Sequence, residues 1–184
     1  DFFFFLNRGE IHGIIGPNGA GKTTIFNVIS GIYTADEGSV LLDGKDVTKL
    51  EQHEITLQGM GRTFQNIRLF KGLNVLDNVM CAFDPKSNYG VPGSLLPLPK
   101  RFAEEKRGHE ICMHYLQVVG LENYAKEKPE NMSYGHRRRL EIARALTCEP
   151  KVLLLDEPAA GLNPVEVGEL TELIQRLSHD IGFA

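Results

Sequence analysis

The chain has 184 residues, 42% of them hydrophobic, and a formal net charge of −4. This size allows one domain with a proper buried core, and the slightly acidic balance gives no general reason to expect nucleic acid as a partner. No apolar stretch approaches the roughly 20 residues that cross a bilayer, and the widely spaced Cys81, Cys112 and Cys148 favour a reducing compartment over a metal site.

A glycine-rich loop between a strand-like and a helix-like segment is the first informative pattern along the chain. After the opening DFFFFL, the segment EIHGII, residues 10–15, is typical of a short buried strand. GPNGAG then supplies a tight turn, and KTTIFNVIS has the apolar spacing of a helix that stops at Gly31. Strand, loop and helix in this order are the arrangement that a phosphate site needs.

The loop GPNGAGKT, residues 16–23, matches the pattern G-x-x-x-x-G-K-[ST]. Glycines let successive backbone N–H groups surround an anion, Lys22 can reach the terminal phosphates, and Thr23 offers a hydroxyl to Mg²⁺. A flexible turn before an ordinary helix is the alternative, but chance gives this pattern in only about one chain of this length per hundred. The predicted phosphate-binding residues are Gly16, Pro17, Asn18, Gly19, Ala20, Gly21, Lys22, Thr23 and Thr24.

Two short extended segments and a helical region follow. SVLLDGKDV, residues 39–47, is typical of a strand with a tight Asp-Gly turn, and GRTFQ, residues 61–65, of another short extended piece. From Val75 to about Leu121 the pattern is mainly helical, interrupted by the Pro- and Gly-rich loop DPKSNYGVPGSLLPLPK. We therefore predict an inserted helical lobe over residues 66–132.

The α/β pattern returns after this lobe. KVLLLD, residues 151–156, is typical of a fully buried strand. Asn163 can cap the next helix, with Pro164 at the first helical position and Glu166 at the third, as in a capping box. Before the strand, SYGHRRRLEIARAL is predicted to be a helix with three apolar residues on one face: Leu140, Ala143 and Leu146.

Two neighbouring acids, Asp156 and Glu157, stand at the end of the KVLLLD strand, where they repel each other and need a stabilising partner. VLLLD resembles the second half of a phosphate site, in which an acid orients Mg²⁺. Successive strand residues face opposite sides. We therefore assign Asp156 to Mg²⁺ and Glu157 to the attacking water as general base, with the charges of Mg²⁺ and Lys22 offsetting the repulsion. An acid pair that caps a strand at the surface is the alternative.

The stretch NMSYGHRRRLEIARAL, residues 131–146, discriminates between classes of nucleotide-binding protein. Ser133 and Gly135 stand where its helix begins, so a hydroxyl and free N–H groups would project toward an anion. This stretch resembles the signature motif of ATP-binding cassette (ABC) ATPases. GPNGAGKTT, the Gln of RTFQ, LLLDEP and AGLN surround it in the order and spacing of that family, over nearly the whole chain. A P-loop kinase or GTPase is disfavoured, because SYGHRRRLEIARAL has no role there.

The resemblance implies an α/β fold, the P-loop NTPase fold of the ABC ATPase type, with a mainly parallel sheet core and the inserted helical lobe. Residues 1–184 would form one nucleotide-binding domain for ATP and Mg²⁺. Two such domains would pack head to tail, so that Ser133 and Gly135 serve the nucleotide of the partner. Gln65 would approach Mg²⁺ or the water, and AGLN, with Asn163 where many relatives have Asp, would lie across the interface.

The resemblance also implies partners and a location. The helical lobe would contact transmembrane permease subunits, an extracytoplasmic solute-binding protein would act indirectly, and the chain would sit at the cytoplasmic side of the membrane as a peripheral subunit. GEIHGIIGPNGAGKTTIFNVISG, GRTFQNIRLF, SYGHRRRLEIARAL and LDEPAAGLNP together resemble the ATP-binding subunit of branched-chain amino acid importers. Alternatives are a cassette for urea or another amide, an exporter, a soluble cassette that acts on ribosomes or DNA, and a nucleotide-binding module without turnover.

Some positions depart from the family pattern. His136 stands where many relatives carry Gln or Asp, and FFFF replaces an alternating strand and leaves no assignable adenine-stacking residue. The γ-phosphate histidine of relatives follows a later strand, which is incomplete at Ala184, and His179 comes too early to replace it. We therefore treat the domain as incomplete and expect this chain to bind nucleotide better than it hydrolyses it.

Overall fold

The computed structural model describes residues 3–17, 19–83, 99–182 and 184. Its helices are α1 Lys22–Ile29, α2 Gln52–Gln58, α3 Val75–Phe83, α4 Pro99–Val118, α5 Tyr134–Thr147 and α6 Pro164–Ile181, with short 3₁₀ turns at Glu122–Tyr124 and Pro129–Asn131. Its strands are β1 Leu41–Leu42, β2 Lys45–Asp46, β3 Met60–Arg62 and β4 Val152–Leu154. Most of the Pro- and Gly-rich loop, like Asn18, lies outside the described residues.

The strands form two pairs. β1 and β2 are antiparallel, with Leu41 opposite Asp46, and the turn between them holds Asp43 at φ 52° and Gly44 at φ 76°. Positive φ at both central residues is the geometry of a two-residue hairpin, so the predicted Asp-Gly turn is confirmed. β3 and β4 are parallel, with Arg62 opposite Leu154, which brings the end of β3 beside the two acids that follow β4.

The predicted strand at residues 10–15 is wrong. This segment has no strand structure, and Ile15 in it is 97% exposed. β4 pairs with β3 along one edge, and along the other it pairs with Ala184, whose oxygen accepts from the Leu153 N–H at 2.7 Å. Both edges of β4 are therefore occupied, so β4 offers no free edge with which residues 10–15 could pair.

β4 separates two hydrophobic clusters. Val152 and Leu154 face a small cluster under the β1–β2 hairpin, whereas Leu153 and Leu155 face the larger cluster among the helices. Neither cluster closes over the strand completely, since each residue of β4 is only partly buried. The strand prediction for KVLLLD is confirmed, but the expectation that it is fully buried is wrong.

The larger cluster lies where α3, α4 and α5 pack against one another. The three apolar residues predicted for one face of α5, Leu140, Ala143 and Leu146, are all fully buried there. The cap predicted for α6 is also present, since the Asn163 side chain accepts from the N–H groups of Val165 and Glu166 at 3.0 Å each. In the described ranges, no helix is both long enough and apolar enough to cross a membrane.

Candidate nucleotide site

The glycine-rich loop curls around the side chain of Lys22. The ammonium group donates to the carbonyl oxygens of Gly16 at 2.7 Å and Pro17 at 2.9 Å. Gly19 and Gly21 have φ values of 83° and 86°, which glycine adopts without strain. Glycine at these two positions therefore allows the turn that brings Lys22 onto the carbonyl groups of its own loop.

The N-terminus of α1 is open to an anion. Gly21 is the residue before the helix and has no side chain that could cap it, so the N–H groups of the first turn are available as donors. Thr23 and Thr24 are exposed in that turn, and both hydroxyls are accessible. Open backbone donors, a positive helix end and a lysine within the loop fit the phosphates of a nucleotide.

Arg62, to which the sequence motifs gave no role, forms a part-buried ion pair with Asp156. The Nη2–Oδ2 distance is 3.2 Å, and the two side chains are only 5% and 13% exposed. Arg62 also donates to the hydroxyl of Ser30 just after α1 at 2.7 Å, and its guanidinium lies over the rings of Phe26 and Phe64 at 5.8 and 5.1 Å. This cation both stabilises Asp156 and connects it to α1.

Glu157 has a different partner from Asp156. The side-chain amide of Gln65 donates to Glu157 Oε2 at 2.8 Å, and both residues are exposed. Glu157 has φ 46°, a left-handed conformation that costs a non-glycine residue about 1 kcal/mol. The backbone therefore turns at Glu157, and the two neighbouring carboxylates have different partners.

The partners of the two acids differ from those expected. We expected the charges of Mg²⁺ and Lys22 to offset their repulsion, but Lys22 makes its hydrogen bonds within its own loop. Arg62 and Gln65 contact the acids instead. The only sequence signal for Arg62 was its place in GRTFQ, at the end of a strand that pairs with the strand before the acids.

Ser133 and Gly135 lie at the N-terminus of α5, as predicted. Ser133 is exposed and caps the helix, with its hydroxyl oxygen accepting from the His136 N–H at 3.2 Å. Gly135 is buried, and a Cβ atom there would lie 2.6 Å from Glu166 Oε1, so a larger residue would have to displace the Glu166 side chain. The imidazole of His136 packs against the Tyr124 ring, with 4.8 Å between centroids.

A groove of about 320 Å³ separates the segment after Gln65 from the start of α5. We call it the Gln65 groove. Phe70 at its wall leaves about half of its surface exposed. The lining residues are Asn66, Ile67, Leu69, Phe70, Lys71, Pro129, Glu130, Tyr134 and Arg137.

Residues 1–160 match the family model described as ABC transporter. The chain is 41% identical over 172 residues to the high-affinity branched-chain amino acid transport ATP-binding protein BraF of Pseudomonas aeruginosa, covering 94% of this chain and 68% of BraF. It is also 41% identical over 168 residues to LivG of Escherichia coli K12, a protein of the same description, covering 91% of this chain and 66% of LivG. The chain therefore spans about two thirds of the length of these relatives.

Solved structures agree in fold. MJ1267, an ATP-binding cassette of an ABC transporter, superposes with a TM-score of 0.81 at 33% identity, over 97% of this chain and 70% of MJ1267. The dimeric bacterial ABC transporter cassette MJ0796 gives 0.77 at 27% identity, over 97% of this chain and 74% of MJ0796. The fold class and family predicted from the motifs are confirmed: the chain belongs to the ABC transporter family and is one of its ATP-binding cassettes.

Proposed function

We propose that this chain is the ATP-binding and ATP-hydrolysing subunit of a membrane importer, and that the imported cargo is a branched-chain amino acid. The observation that carries the hydrolytic part is the hydrogen bond from Gln65 to Glu157 beside the part-buried Arg62–Asp156 pair. The cargo is supported by the similarity to BraF and LivG, whose names specify branched-chain amino acid transport.

The nucleotide would be held by the glycine-rich loop and the first turn of α1. The backbone donors from Gly16 to Thr24, Asn18 included, would surround the phosphates, and Lys22 would exchange its carbonyl partners for phosphate oxygens. Thr23 and Asp156, with Gln65 nearby, would hold Mg²⁺. The metal, when bound, supplies positive charge against the phosphate oxygens.

Glu157 would act as the general base. Its carboxylate is exposed, and the amide of Gln65 fixes Oε2. In hydrolysis the water oxygen attacks the terminal phosphorus, the bond to the bridging oxygen of ADP breaks, and Glu157 accepts the proton of the water. Gln65 would orient this carboxylate and sense the terminal phosphate.

A second cassette would complete each site. Ser133 is exposed at the N-terminus of α5, where its hydroxyl and the neighbouring N–H groups can meet a phosphate of the partner's nucleotide. The dimeric arrangement of the similar cassette MJ0796 supports this assembly. The AGLN segment with Asn163 would lie across the interface.

The Gln65 groove would receive a segment of a transmembrane permease subunit. Its lining combines apolar residues, including the half-exposed Phe70, with charged ones, and most of its lining residues belong to the helical lobe that we assign to residues 66–132. Docking there would keep the chain at the cytoplasmic face of the membrane, and the extracytoplasmic solute-binding protein would act through the permease.

The substitution Glu157→Gln tests the hydrolytic role. We expect a loss of ATP hydrolysis of at least about a hundredfold, with ATP affinity retained, because the amide cannot accept the proton of the water. Glu172→Gln on the exposed face of α6 is the matched control. Phosphate release and equilibrium ATP binding are the two measurements, and a Glu157→Gln variant that hydrolyses ATP at the parent rate would refute the role.

A further inference from the structure

A buried ion pair on α5 contacts the backbone of the segment that carries Gln65. Arg138 and Glu141 lie one turn apart with 2.7 Å between Nη1 and Oε2, and their side chains are 1% and 7% exposed. Arg138 also donates to the carbonyl oxygens of Phe64 at 2.9 Å and Gln65 at 3.0 Å. Glu141 Oε1 accepts from the Phe64 N–H at 3.4 Å. We call Arg138 and Glu141 the α5 clamp.

The burial of this pair calls for a reason beyond helix stability. A helical Arg–Glu pair at this spacing gains little when exposed, and burying both charges costs more than their attraction returns unless further hydrogen bonds form. Burial raises the pKa of the Glu141 carboxyl, and the Arg138 charge opposes that shift. One long contact of 3.5 Å joins Arg138 to the Tyr134 hydroxyl on the same helix. The shorter bonds of Arg138 outside the pair, and the one further bond of Glu141, go to the backbone of Phe64 and Gln65, so the pair holds that segment.

The clamp is continuous with the proposed catalytic groups. Its bonds fix the backbone of Gln65, and the side chain of Gln65 in turn donates to Glu157. The residues involved are more than 70 positions apart in the sequence. Arg138 also stands only five residues after Ser133, on the same rigid helix.

We propose that Arg138 and Glu141 are positioning residues, which hold Gln65 so that its amide orients the carboxylate of Glu157. They act through Gln65 and do not touch the nucleotide. Because the clamp and Ser133 share α5, the helix that meets the partner's nucleotide also sets the geometry of the chain's own hydrolytic group. This inference rests on the proposed function of Gln65 and Glu157.

The test removes both charges together, so that neither is left buried alone. In the full chain, Arg138→Met/Glu141→Leu should lower kcat for ATP about tenfold while KM changes less than about threefold. In the absence of nucleotide, backbone amides of residues 63–65 should exchange hydrogen faster than in the parent. The matched control is Arg139→Met/Glu169→Gln. It removes the ion pair between the next residue of α5 and Glu169 of α6, and that pair does not contact Gln65.

A cycle with Gln65→Ala separates positioning from general support of the fold. If the clamp acts through Gln65, adding the clamp substitutions to Gln65→Ala should lower kcat no further. Independent losses in kcat would overturn the inference, as would unchanged exchange at residues 63–65. If the double variant does not fold, Arg138→Lys serves instead, because it keeps the positive charge but loses the forked geometry of the guanidinium. This variant should show a reduced kcat with the KM of the parent. A kcat equal to that of the parent would overturn the inference.

The outcomes also separate this inference from the proposed function. An inactive Glu157→Gln variant together with a fully active clamp variant would contradict the inference alone. A Glu157→Gln variant with parent turnover would contradict the proposed function, whereas the hydrogen-exchange result on residues 63–65 would still report whether the clamp holds Gln65.

Discussion

At the scale of single residues, Arg62 supplies the positive charge that compensates the part-buried carboxylate of Asp156. Its guanidinium contacts Asp156, the hydroxyl of Ser30 and two aromatic rings at once. Removing one partner of such a pair leaves the other charge without compensation in a poorly hydrated place. Arg62 therefore contributes to stability and to the orientation of the carboxylate that we assign to Mg²⁺.

We predict that Arg62→Met lowers the free energy of unfolding by about 2 kcal/mol, because the part-buried carboxylate of Asp156 is then left without its cationic partner. Urea unfolding without nucleotide measures this change. Arg68→Met is the control, since Arg68 stacks on the same Phe64 ring at 5.0 Å but is exposed and bonds to no carboxylate in the described residues. Equal losses in the two variants would show that the ring contact, and not the ion pair, is responsible.

Local conformation was predictable where the pattern is local. The cap at Asn163 depends on residues within three positions of each other, and the structure has it. Arg62 was missed because its partners lie 32 and 94 positions away along the chain. Sequence spacing alone does not show which helix the end of a strand will contact, because that contact depends on how the strands pair.

At the scale of elements, α4 shows how packing among the helices controls chemistry. Cys112 lies on the face of α4 that packs against α3 and α5 and is fully buried. Burial raises the pKa of its thiol to about 12. The folded thiol therefore keeps its proton over a range in which an unfolded thiol, with a pKa of about 8.5, has lost it.

We predict that iodoacetamide at pH 8 modifies the exposed Cys81 first, and Cys112 only after unfolding. Mass spectrometry with and without urea measures this order. The raised pKa also makes the free energy of unfolding depend on pH. The stabilising contribution of Cys112 is present below about pH 8.5 and decreases as the pH rises toward 12. Rapid labelling of Cys112 in the folded chain would contradict this description of the helical core.

Helices and strands were predictable where the residues that determine them lie close together in the sequence. α5 and α6 follow from apolar spacing and capping residues, which act within a few turns. The strand expected at residues 10–15 needs a neighbouring strand, and both edges of β4 are occupied by β3 and Ala184. An apolar segment alone does not specify that neighbour.

At the scale of the whole molecule, the order of the motifs identified the family because each motif is positioned by a different part of one fold. The Lys22 loop opens α1, Asp156 and Glu157 follow β4, and Ser133 caps α5. The sequence did not reveal how these parts are joined. Arg62 connects α1 to the acids, and the α5 clamp connects the Ser133 helix to Gln65.

The central claim is that a hydrolytic site needs the Lys22 loop of one cassette and the Ser133 helix of another. Mixing Lys22→Ala chains with Ser133→Ala chains tests it most directly by ATP hydrolysis. Each variant alone should be inactive, but a mixed dimer keeps one intact site, so an equal mixture should reach about a quarter of the parent rate. A mixture no more active than the sum of its two components, while the parent hydrolyses ATP, would contradict the claim.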